Sequence, residues 1–364
     1  MKDSRLAAHK RIRSSLKCFN EQSLCGVQGI YRGVKNSRSA LKGASAKPFI
    51  TRKIENIPRT KENHPLILIT GSSGFVGTNV TEYLVNKGNQ VVGVDLSDPQ
   101  RKFPKELFTP HKCDLTDKDA VLKTFQKFKP QHVIHLAFVT HRKDIYGEFL
   151  DDAKITLNML EAAHQNNIER FVLMSSSTIY GMRTEDKPVT EEEKPNPKGT
   201  YGKAKLMAEM MAKQYMEAEN LPLTIFRGFE IYGPVLTIPS IVRKLLDKAV
   251  AKEPLQLYCY GKQKTDFTYA EDLAQAMDIV LHNPKAAGQT FNIGSSKAYT
   301  YEEFAKTINK LLPCKIELLP PRTGEHAFYL YSTVQKLKAL GFKPKYDIQD
   351  GLKRTIDWML TQHG

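Results

Sequence analysis

Three glycines at intervals of three, Gly71, Gly74 and Gly77, directly follow a short apolar run at residues 66–69. Glycine costs about 1 kcal/mol relative to alanine inside a helix, so this spacing needs a local reason. The apolar run is typical of a buried parallel strand, and residues 75–86 have the apolar spacing of a helix. The glycines therefore fill a strand-to-helix turn, where backbone N–H groups can approach a phosphate and the helix N-terminus attracts an anion. A glycine-rich turn without a ligand has the same spacing.

A second predicted strand, residues 90–95, ends in a carboxylate, Asp95, 24 residues after Gly71. A carboxylate at this place accepts hydrogen bonds from the adenine ribose hydroxyls and repels a 2′-phosphate. Asp95 therefore favours NAD over NADP as the bound nucleotide. Arg101 and Lys102 follow closely and weaken this preference, because cations accommodate a 2′-phosphate.

The net charge of +15 is concentrated at the N-terminus. Residues 1–60 contain 14 Lys or Arg and three acids, a net of +11, which leaves +4 for residues 61–364. This segment is Ser-rich and lacks sustained periodicity, so we expect a disordered, solvated arm. Its composition also resembles an organelle transit segment, without the apolar core of a secretory signal. We therefore expect a cytoplasmic protein, or one of an organelle matrix if the arm directs import.

Charge and cysteine usage exclude several classes of protein. A body with a net charge of only +4, and an arm with few aromatics among its charges, both argue against nucleic-acid binding. No run of 18 apolar residues occurs, so no transmembrane helix is expected. The five cysteines form no CxxC pair and the ten histidines no HExxH motif. We expect a reduced compartment and no metal site.

Strand and helix patterns alternate after the arm, which predicts an α/β fold with a Rossmann-like, doubly wound parallel sheet. The predicted strands are residues 66–70, 90–95, 132–137, 170–176 and 222–227. The predicted helices are residues 75–86, 117–128, 150–166 and 201–219.

From about residue 234 the elements become shorter and are punctuated by Pro and Gly. We expect a nucleotide-binding domain at residues 61–233 and a smaller α/β substrate lobe at residues 234–364. A segment of this lobe is expected to return to the main domain.

Two polar patterns mark the expected crevice. Residues 175–178 are four consecutive hydroxyl side chains at the end of a predicted strand, where open α/β sheets bind ligands. Tyr201 and Lys205 stand at i, i+4 and therefore share one helix face. A close ammonium lowers the pKa of a tyrosine from its usual value near 10, which suits acid–base catalysis. Ser-rich turns and ordinary surface helices also produce such patterns. The two patterns indicate a catalytic site only because they follow the glycine turn in this order.

The motifs together resemble the extended short-chain dehydrogenase/reductase family, and within it the NAD-dependent sugar-nucleotide epimerase/dehydratase branch. They are, in order, TGSSGFVG, VVGVD, CDL, HLA, SSSTIYG, YGKAK, RGFEIYGP, TDFTYAEDL and FNIG. The resemblance extends from about residue 65 to the C-terminus. It implies NAD as the cofactor, a homodimer, and an enzyme that acts on a small molecule.

The resemblance also implies site residues. Those for the cofactor are Gly71, Gly74, Phe75, Val76, Gly77, Asp95, Asp114, Leu115, Leu136, Ala137, Tyr201 and Lys205. Those for catalysis are Ser176, Tyr201 and Lys205, and those for the substrate are Ser177, Thr178, Glu230 and Arg322. In the implied reaction Tyr201 takes the proton of a sugar hydroxyl, Ser176 shares that hydrogen bond, and the carbon's hydrogen leaves as hydride to NAD.

Some residues depart from the family pattern. Sugar dehydratases of the family carry an Asp-Glu pair directly after the catalytic hydroxyl, whereas this chain has Ser177 and Thr178. Neither hydroxyl can perform carboxylate acid–base chemistry at neutral pH. Epimerase or simple dehydrogenase/reductase chemistry is therefore preferred over dehydration.

Other departures concern the substrate diphosphate. Glu230 stands where the family usually has Asn, and Thr265 where an Arg grips the diphosphate, while Arg322 matches a second such Arg. Losing a charge-assisted contact costs roughly 1.5–3 kcal/mol. Lys262 or Lys264 could replace the lost cation, and the sequence leaves this open. Asp152 also stands where Asn is usual.

The leading interpretation is an NAD-dependent epimerase or oxidoreductase that acts on a sugar-nucleotide hydroxyl. An alternative is a reductase or dehydrogenase of a non-nucleotide alcohol or carbonyl. A third, of another class, is a non-catalytic NAD-binding sensor or RNA-binding scaffold that uses residues 1–60 as a basic arm. The complete Ser176, Tyr201 and Lys205 set argues against this third interpretation.

Overall fold

The computed structural model of the protein describes residues 65–139 and 145–363. The basic segment 1–60, with its predicted disorder, lies outside the described residues. The strands are β1 Ile67–Thr70, β2 Val91–Asp95, β3 Phe108–Lys112, β4 His132–His135, β5 Arg170–Ser176, β6 Leu223–Gly228, β7 Ile231–Tyr232, β8 Leu255–Leu257, β9 Lys264–Asp266, β10 Thr268–Tyr269, β11 Gln289–Ile293, β12 Ala298–Thr300, β13 Ile316–Leu318 and β14 Tyr329–Leu330.

The helices pack between and around these strands. They are α1 Phe75–Asn86, α2 Lys118–Phe128, α3 Ile145–Gln165, α4 Thr200–Glu219, α5 Ile241–Val250, α6 Ala270–His282, α7 Tyr301–Leu311, α8 Gln335–Ala339 and α9 Ile348–His363. Short 3₁₀ turns lie at Ser177–Tyr180, Cys259–Gly261 and Pro284–Ala286. No helix in the described part of the chain is long and apolar enough to span a membrane. The expected cytoplasmic or organellar location stays a prediction.

Seven parallel strands form the main sheet in the order β11-β6-β5-β4-β1-β2-β3. The side chains of β1 alternate between its two faces. Ile67 and Ile69 pack into one apolar cluster with α1 and α6, and Leu68 packs into another with α2, α3 and α4. Because helices cover both faces, β1 is apolar at consecutive positions. This arrangement confirms the predicted doubly wound parallel sheet.

The strand register brings the candidate site to one edge of this sheet. Thr70, at the end of β1, is aligned with Val94 of β2. Ser176, at the end of β5, is aligned with Gly228 of β6. The glycine turn and the Ser-rich turn therefore lie at the same carboxyl edge of the sheet, where ligands bind in folds of this type.

A second set of short sheets follows β6. They pair β10 with β7, β13 with β8, and β9 with both β12 and β14. Their apolar cluster includes Phe267 and Phe304, whose rings stack with centroids 4.0 Å apart. β11 lies within residues 234–364 and yet pairs with β6 in the main sheet. The proposed boundary at residues 233 and 234 stays a prediction.

The sequence missed two strands of the main sheet. β3 is an edge strand with mostly exposed side chains and a proline, so it lacks an apolar run. β11 is the other edge strand, and its first residues are exposed or half-buried. An edge strand is half solvated, so little in its composition separates it from a loop.

Candidate active site

The glycine turn between β1 and α1 is too tightly packed for larger residues. A Cβ atom at Gly77 would lie 2.0 Å from the carbonyl oxygen of Gly71. Gly71 has a φ of +67°, and a Cβ there would lie 2.9 Å from the backbone nitrogen of Ala137. Gly74 is the N-cap of α1 and makes no side-chain cap bond. The first N–H groups of α1 are therefore available to an anion such as a pyrophosphate.

Phe75 and Val76 begin this helix, and their side chains face the protein interior. Phe75 is buried in the cluster that contains Tyr232, and Val76 packs against two apolar clusters. Only their backbone N–H groups are placed to bind a phosphate. Their predicted role in cofactor binding is thus compatible with backbone contacts.

The Asp95 carboxylate fixes the loop at the end of β2. Its Oδ2 accepts a hydrogen bond from the backbone N–H of Ser73 (3.0 Å) and its Oδ1 one from Ser97 (2.9 Å). Ser73 belongs to the glycine turn, so Asp95 ties the two loops together. Arg101 forms an ion pair with Glu82. This pairing makes Arg101 less available to a 2′-phosphate, which supports the preference for NAD.

Asp114 and Leu115, which the resemblance assigns to the cofactor, lie beyond β3. Asp114 Oδ1 accepts hydrogen bonds from the backbone nitrogen and the hydroxyl of Thr116, at 2.9 and 2.8 Å. Leu115 is buried, and its carbonyl accepts a hydrogen bond from Asn158. These contacts give the segment a fixed conformation beside the end of β2.

Leu136 and Ala137 follow β4 and border the glycine turn. The backbone N–H groups of both donate to Thr70 Oγ1, at 3.2 Å each. A Cβ atom at Gly71 would collide with Ala137. The segment that follows β4 is therefore held against the nucleotide turn, as the predicted cofactor role of these residues requires.

Ser176 and Tyr201 come together at the end of β5. Ser176 Oγ accepts hydrogen bonds from the backbone nitrogen of Thr178 (3.2 Å) and from its Oγ1 (3.0 Å). Ser176 also forms a hydrogen bond with Tyr201, which lowers the pKa of that phenol. Ser177 is buried, whereas Thr178 is exposed. A hydroxyl of the substrate could thus meet the hydroxyls of Ser176, Tyr201 and Thr178.

Lys205 lies one helical turn beyond Tyr201 and is buried. Its Nζ donates to the carbonyl oxygen of Met174 (3.0 Å) and lies 4.3 Å from the ring centroid of Phe138. The Phe138 ring contacts the Tyr201 ring edge-on, with centroids 5.0 Å apart. Phe138 therefore packs on both candidate catalytic side chains. The sequence offered little signal for it except its position directly after the HLA motif.

The predicted lowering of the Tyr201 pKa by Lys205 is wrong for this structure. Burial raises the pKa of Tyr201, and the carboxylates of Asp152 and Glu230 raise it further. The Lys205 ammonium lies over the face of the Tyr201 ring, 5.8 Å from its centroid. Burial also lowers the pKa of Lys205, to about 8, and Asp152 opposes that change. Spacing on a helix face predicted proximity but not desolvation, which is the largest effect on both groups. Lys205 is 6% exposed, whereas Tyr201 as a whole is 44% exposed.

Glu230 lies two residues beyond β6, at the edge where β5 presents Ser176. Its backbone carbonyl accepts a hydrogen bond from Thr268 (2.9 Å), which places the residue against β10. Burial raises the pKa of the Glu230 carboxyl to about 7. The same carboxylate raises the pKa values of Tyr201 and Tyr301. Glu230 therefore brings a titratable acid near the candidate catalytic tyrosine.

The expected diphosphate contacts are less complete. Thr265 is buried and its hydroxyl donates to the carbonyl oxygen of Leu330 (2.8 Å). Lys264 forms an ion pair with Asp186 (3.1 Å), so its charge is already compensated. Arg322 is exposed and stacks on the Tyr258 ring, 3.7 Å from the centroid. Within the described ranges, no hydrogen bond or ion pair joins Arg322 to Ser176 or Tyr201.

Comparison with known proteins shows the family of the chain. The model of the NAD dependent epimerase/dehydratase family matches residues 67–294, more than half of the chain. The chain belongs to this family. Because the family consists of NAD-dependent enzymes, membership argues against the non-catalytic alternative. The glycine turn fits the pyrophosphate of NAD. A Cβ atom at Gly71 or Gly77 would collide with neighbouring backbone, so only glycine allows this tight turn. Gly74, the N-cap, has no side chain to bind the first N–H groups of α1, which therefore remain available to the phosphates.

The relatives are distant in sequence and match about four fifths of this chain. Protein CapI of Staphylococcus aureus is 28% identical, with 81% of this chain and 98% of CapI covered. A trifunctional UDP-glucose 4,6-dehydratase/UDP-4-keto-6-deoxy-D-glucose 3,5-epimerase/UDP-4-keto-L-rhamnose-reductase of Arabidopsis thaliana is 28% identical, with 80% of this chain and 46% of that protein covered. The crystal structure of Thermus thermophilus UDP-glucose 4-epimerase with NAD shares 27% identity and a TM-score of 0.71, covering 81% and 99%.

No group of three or more His, Cys, Asp or Glu side chains that could hold a metal ion occurs in residues 65–139 and 145–363.

Replacing Gly77 by alanine tests the nucleotide turn. The new Cβ would contact the Gly71 carbonyl at 2.0 Å, and backbone cannot move away as a flexible side chain can. We expect Gly77→Ala to lose measurable NAD binding by calorimetry and to be destabilised by about 1–3 kcal/mol in urea. Gly199→Ala is the matched control, because a Cβ at Gly199 meets no atom within 4 Å. Unchanged NAD affinity in Gly77→Ala would contradict this role.

Proposed function

We propose that this enzyme is an NAD-dependent epimerase or oxidoreductase that acts on a hydroxyl of a sugar nucleotide through Ser176, Tyr201 and Lys205. The observation that carries the proposal is the convergence of these three side chains beside the glycine turn, at one edge of the sheet. Ser176 forms a hydrogen bond with Tyr201. The Lys205 Nζ lies 4.3 Å from the centroid of the Phe138 ring and 5.8 Å from that of the Tyr201 ring.

Each side chain has a role that follows from its surroundings. The Tyr201 phenol is the group that takes the proton of the substrate hydroxyl and returns it. The Ser176 hydroxyl, held by Thr178, shares the hydrogen bond to the same oxygen. The Lys205 ammonium supplies positive charge beside the phenol and would bind the nicotinamide ribose. NAD, when bound, accepts the hydride from the carbon that carries the hydroxyl.

The product of that oxidation is a ketone, which then has several fates. Return of the hydride to the other face inverts the carbon and gives an epimer, whereas release of the ketone gives net oxidation. Dehydration needs a carboxylate after the catalytic hydroxyl, and this chain has the buried Ser177 and the exposed Thr178 there. We therefore favour epimerisation or simple oxidation and reduction over dehydration.

The sugar-nucleotide class is favoured by the relatives. The Thermus thermophilus protein is a UDP-glucose 4-epimerase, and the Arabidopsis protein acts on UDP-linked sugars by its name. By this likeness the substrate of the present enzyme would carry a nucleoside diphosphate.

Replacing Tyr201 by phenylalanine tests the proposed chemistry. Removal of the phenol oxygen should leave NAD binding nearly intact and lower turnover about 10²–10⁴-fold, the usual worth of acid–base catalysis. Turnover is measured with UDP-, GDP- and dTDP-sugars as probes, and NAD binding by calorimetry. Tyr260→Phe is the control, because Tyr260 is an exposed tyrosine in a turn after β8. Near-normal turnover in Tyr201→Phe would defeat the mechanism.

Specific contacts also favour the alternative substrate, an alcohol or carbonyl without a nucleotide. Thr265 replaces a diphosphate-binding arginine, and the neighbouring Lys264 is paired with Asp186. Glu230 adds a half-buried carboxyl near the candidate catalytic tyrosine. A carboxylate beside a diphosphate is repulsive, whereas an arginine fork is well suited to phosphate.

The pH dependence of nucleotide binding distinguishes the two substrate classes. Burial raises the pKa of Glu230 to about 7, so Glu230 is neutral below that pH and negative above it. If the diphosphate lies near Glu230, UDP should bind the NAD-loaded enzyme about tenfold more tightly at about pH 6 than at about pH 8. Glu230→Gln should remove this difference and keep the tighter affinity throughout, as measured by calorimetry.

The control for this titration is Glu253→Gln, which changes an exposed carboxylate after α5 and should leave the pH dependence intact. Micromolar binding of UDP, GDP or dTDP would defeat the non-nucleotide alternative. Failure of all three to bind either enzyme form at any pH would defeat the sugar-nucleotide proposal.

We further propose that two copies of the chain associate through α3 and α4. These helices pack side by side in the same layer, and α3 exposes Leu150 and Leu157, which are seven residues apart and share one face. Met210 on α4 is also exposed. Leu157→Glu should convert a dimer to a monomer in light scattering after gel filtration, whereas the exposed Leu360→Glu on α9 should not. A wild-type monomer would contradict the dimer.

A further inference from the structure

Asp152 is a buried carboxylate that holds the segment next to the candidate catalytic group. It lies near the start of α3 and is only 5% exposed. Its Oδ1 accepts a hydrogen bond from the backbone N–H of Val139, at 2.7 Å. Val139 directly follows Phe138, whose ring packs on both Tyr201 and Lys205. Asp152 therefore anchors the segment that covers these two side chains.

The second oxygen of the same carboxylate is not compensated. Asp152 Oδ2 is buried and has no hydrogen-bond partner within the part of the chain that the structure describes. Burying an ionised oxygen without a donor is costly, so the charge needs a counter-charge nearby. An asparagine at this position could still accept the Val139 hydrogen bond but would carry no charge.

Lys205 is the complementary case, a buried cation without an adjacent anion. It is 6% exposed, and its one hydrogen bond in the described ranges goes to the neutral carbonyl of Met174. No carboxylate oxygen there lies within 4.0 Å of its Nζ. Asp152 is the group whose charge acts on Lys205, and Lys205 in turn acts on Asp152. The two buried charges therefore interact electrostatically without an ion-pair contact, on either side of the segment Phe138–Val139, which Asp152 bonds at Val139 and Lys205 contacts at Phe138.

Other groups also face Asp152. Glu148 and Asp151, on the same helix, disfavour its charge, while the Val139 N–H and Lys205 favour it. Burial is the largest effect and raises its pKa to about 6. Asp152 also acts on Tyr201 and raises the pKa of that phenol. At neutral pH the carboxylate is thus charged, and Lys205 is the cation that faces it.

We propose that Asp152 is the counter-ion of Lys205 and holds this lysine in its protonated form beside Tyr201. The inference rests on the proposed function, in which the Lys205 ammonium serves Tyr201 and the nicotinamide ribose. Asp152 touches neither substrate nor reacting atoms in this account and is a positioning residue. Without its charge, burial alone would act on Lys205, and a larger fraction of the lysine would be neutral at the pH of the reaction.

The titration of Lys205 itself provides the test. The full chain, loaded with NAD and labelled with ¹³C and ¹⁵N in its lysines, is titrated by NMR, and Lys205→Arg identifies the Lys205 signal. Asp152→Asn should lower the pKa of Lys205 by about one unit. Asp152→Glu keeps the charge and should restore most of the wild-type value. Asp151→Asn makes the same change one residue earlier and should leave Lys205 unchanged.

A reciprocal measurement covers the case in which Asp152→Asn fails to fold. Coupling between two titrating groups is symmetric, so Lys205→Met should raise the pKa of the Asp152 carboxyl above its wild-type value, as read from ¹³C carboxyl shifts. A Lys205 pKa that is equal in wild type and Asp152→Asn, or an Asp152 pKa unchanged by Lys205→Met, would overturn the proposal. Neither measurement depends on turnover. A result that overturns the counter-ion role of Asp152 is therefore distinguishable from failure of the proposed function, which the turnover of Tyr201→Phe tests.

Discussion

The position of helix α4 depends on a buried ion pair between Arg227 and Glu209. Arg227 on β6 donates from Nε (3.0 Å) and Nη2 (2.8 Å) to the two oxygens of Glu209 on α4, and both side chains are fully buried. Ser175 on β5 adds a hydrogen bond of 2.6 Å to the same carboxylate. Removing one partner of such a pair costs about 3–5 kcal/mol, because the other charge stays buried. Since α4 also carries Tyr201 and Lys205, their placement against β5 rests on this contact.

The same arginine connects helix α4 to the far edge of the sheet. Arg227 Nη1 donates to the Tyr180 hydroxyl and to the Glu191 carbonyl, both at 2.9 Å. The Tyr180 hydroxyl then donates to Asn292 on β11, at 2.7 Å. β11 is remote in the chain from the Ser-rich turn. It is held to this turn by the Tyr180–Asn292 hydrogen bond, and to β6 by its backbone hydrogen bonds. This network explains how a strand from the segment after residue 234 can help to shape the site.

The sequence predicted the features that depend on local pattern and missed those that depend on burial. Apolar runs specified β1, β2, β4, β5 and β6, and the glycine spacing specified the turn before α1, because both signals are local. The edge strands β3 and β11 were missed, since half-solvated strands lack such runs. The pKa of Tyr201 was predicted in the wrong direction. Helix spacing places two side chains together, whereas the desolvation that raises this pKa comes from the whole fold.

Substrate recognition is the property for which neither pattern nor family is sufficient, because it depends on which charges are already paired. From sequence, Lys264 and Lys262 were equal candidates to replace the cation lost at Thr265. The fold separates them: Lys264 pairs with Asp186 and lies over the Tyr331 ring, while Lys262 is exposed and lies 6.0 Å from the Tyr260 ring centroid. A diphosphate would therefore gain more from Lys262, whose charge has no carboxylate partner in the described chain. An exposed lysine is a weaker anchor than an arginine fork, so a diphosphate bound at this place would be held less tightly than by such a fork.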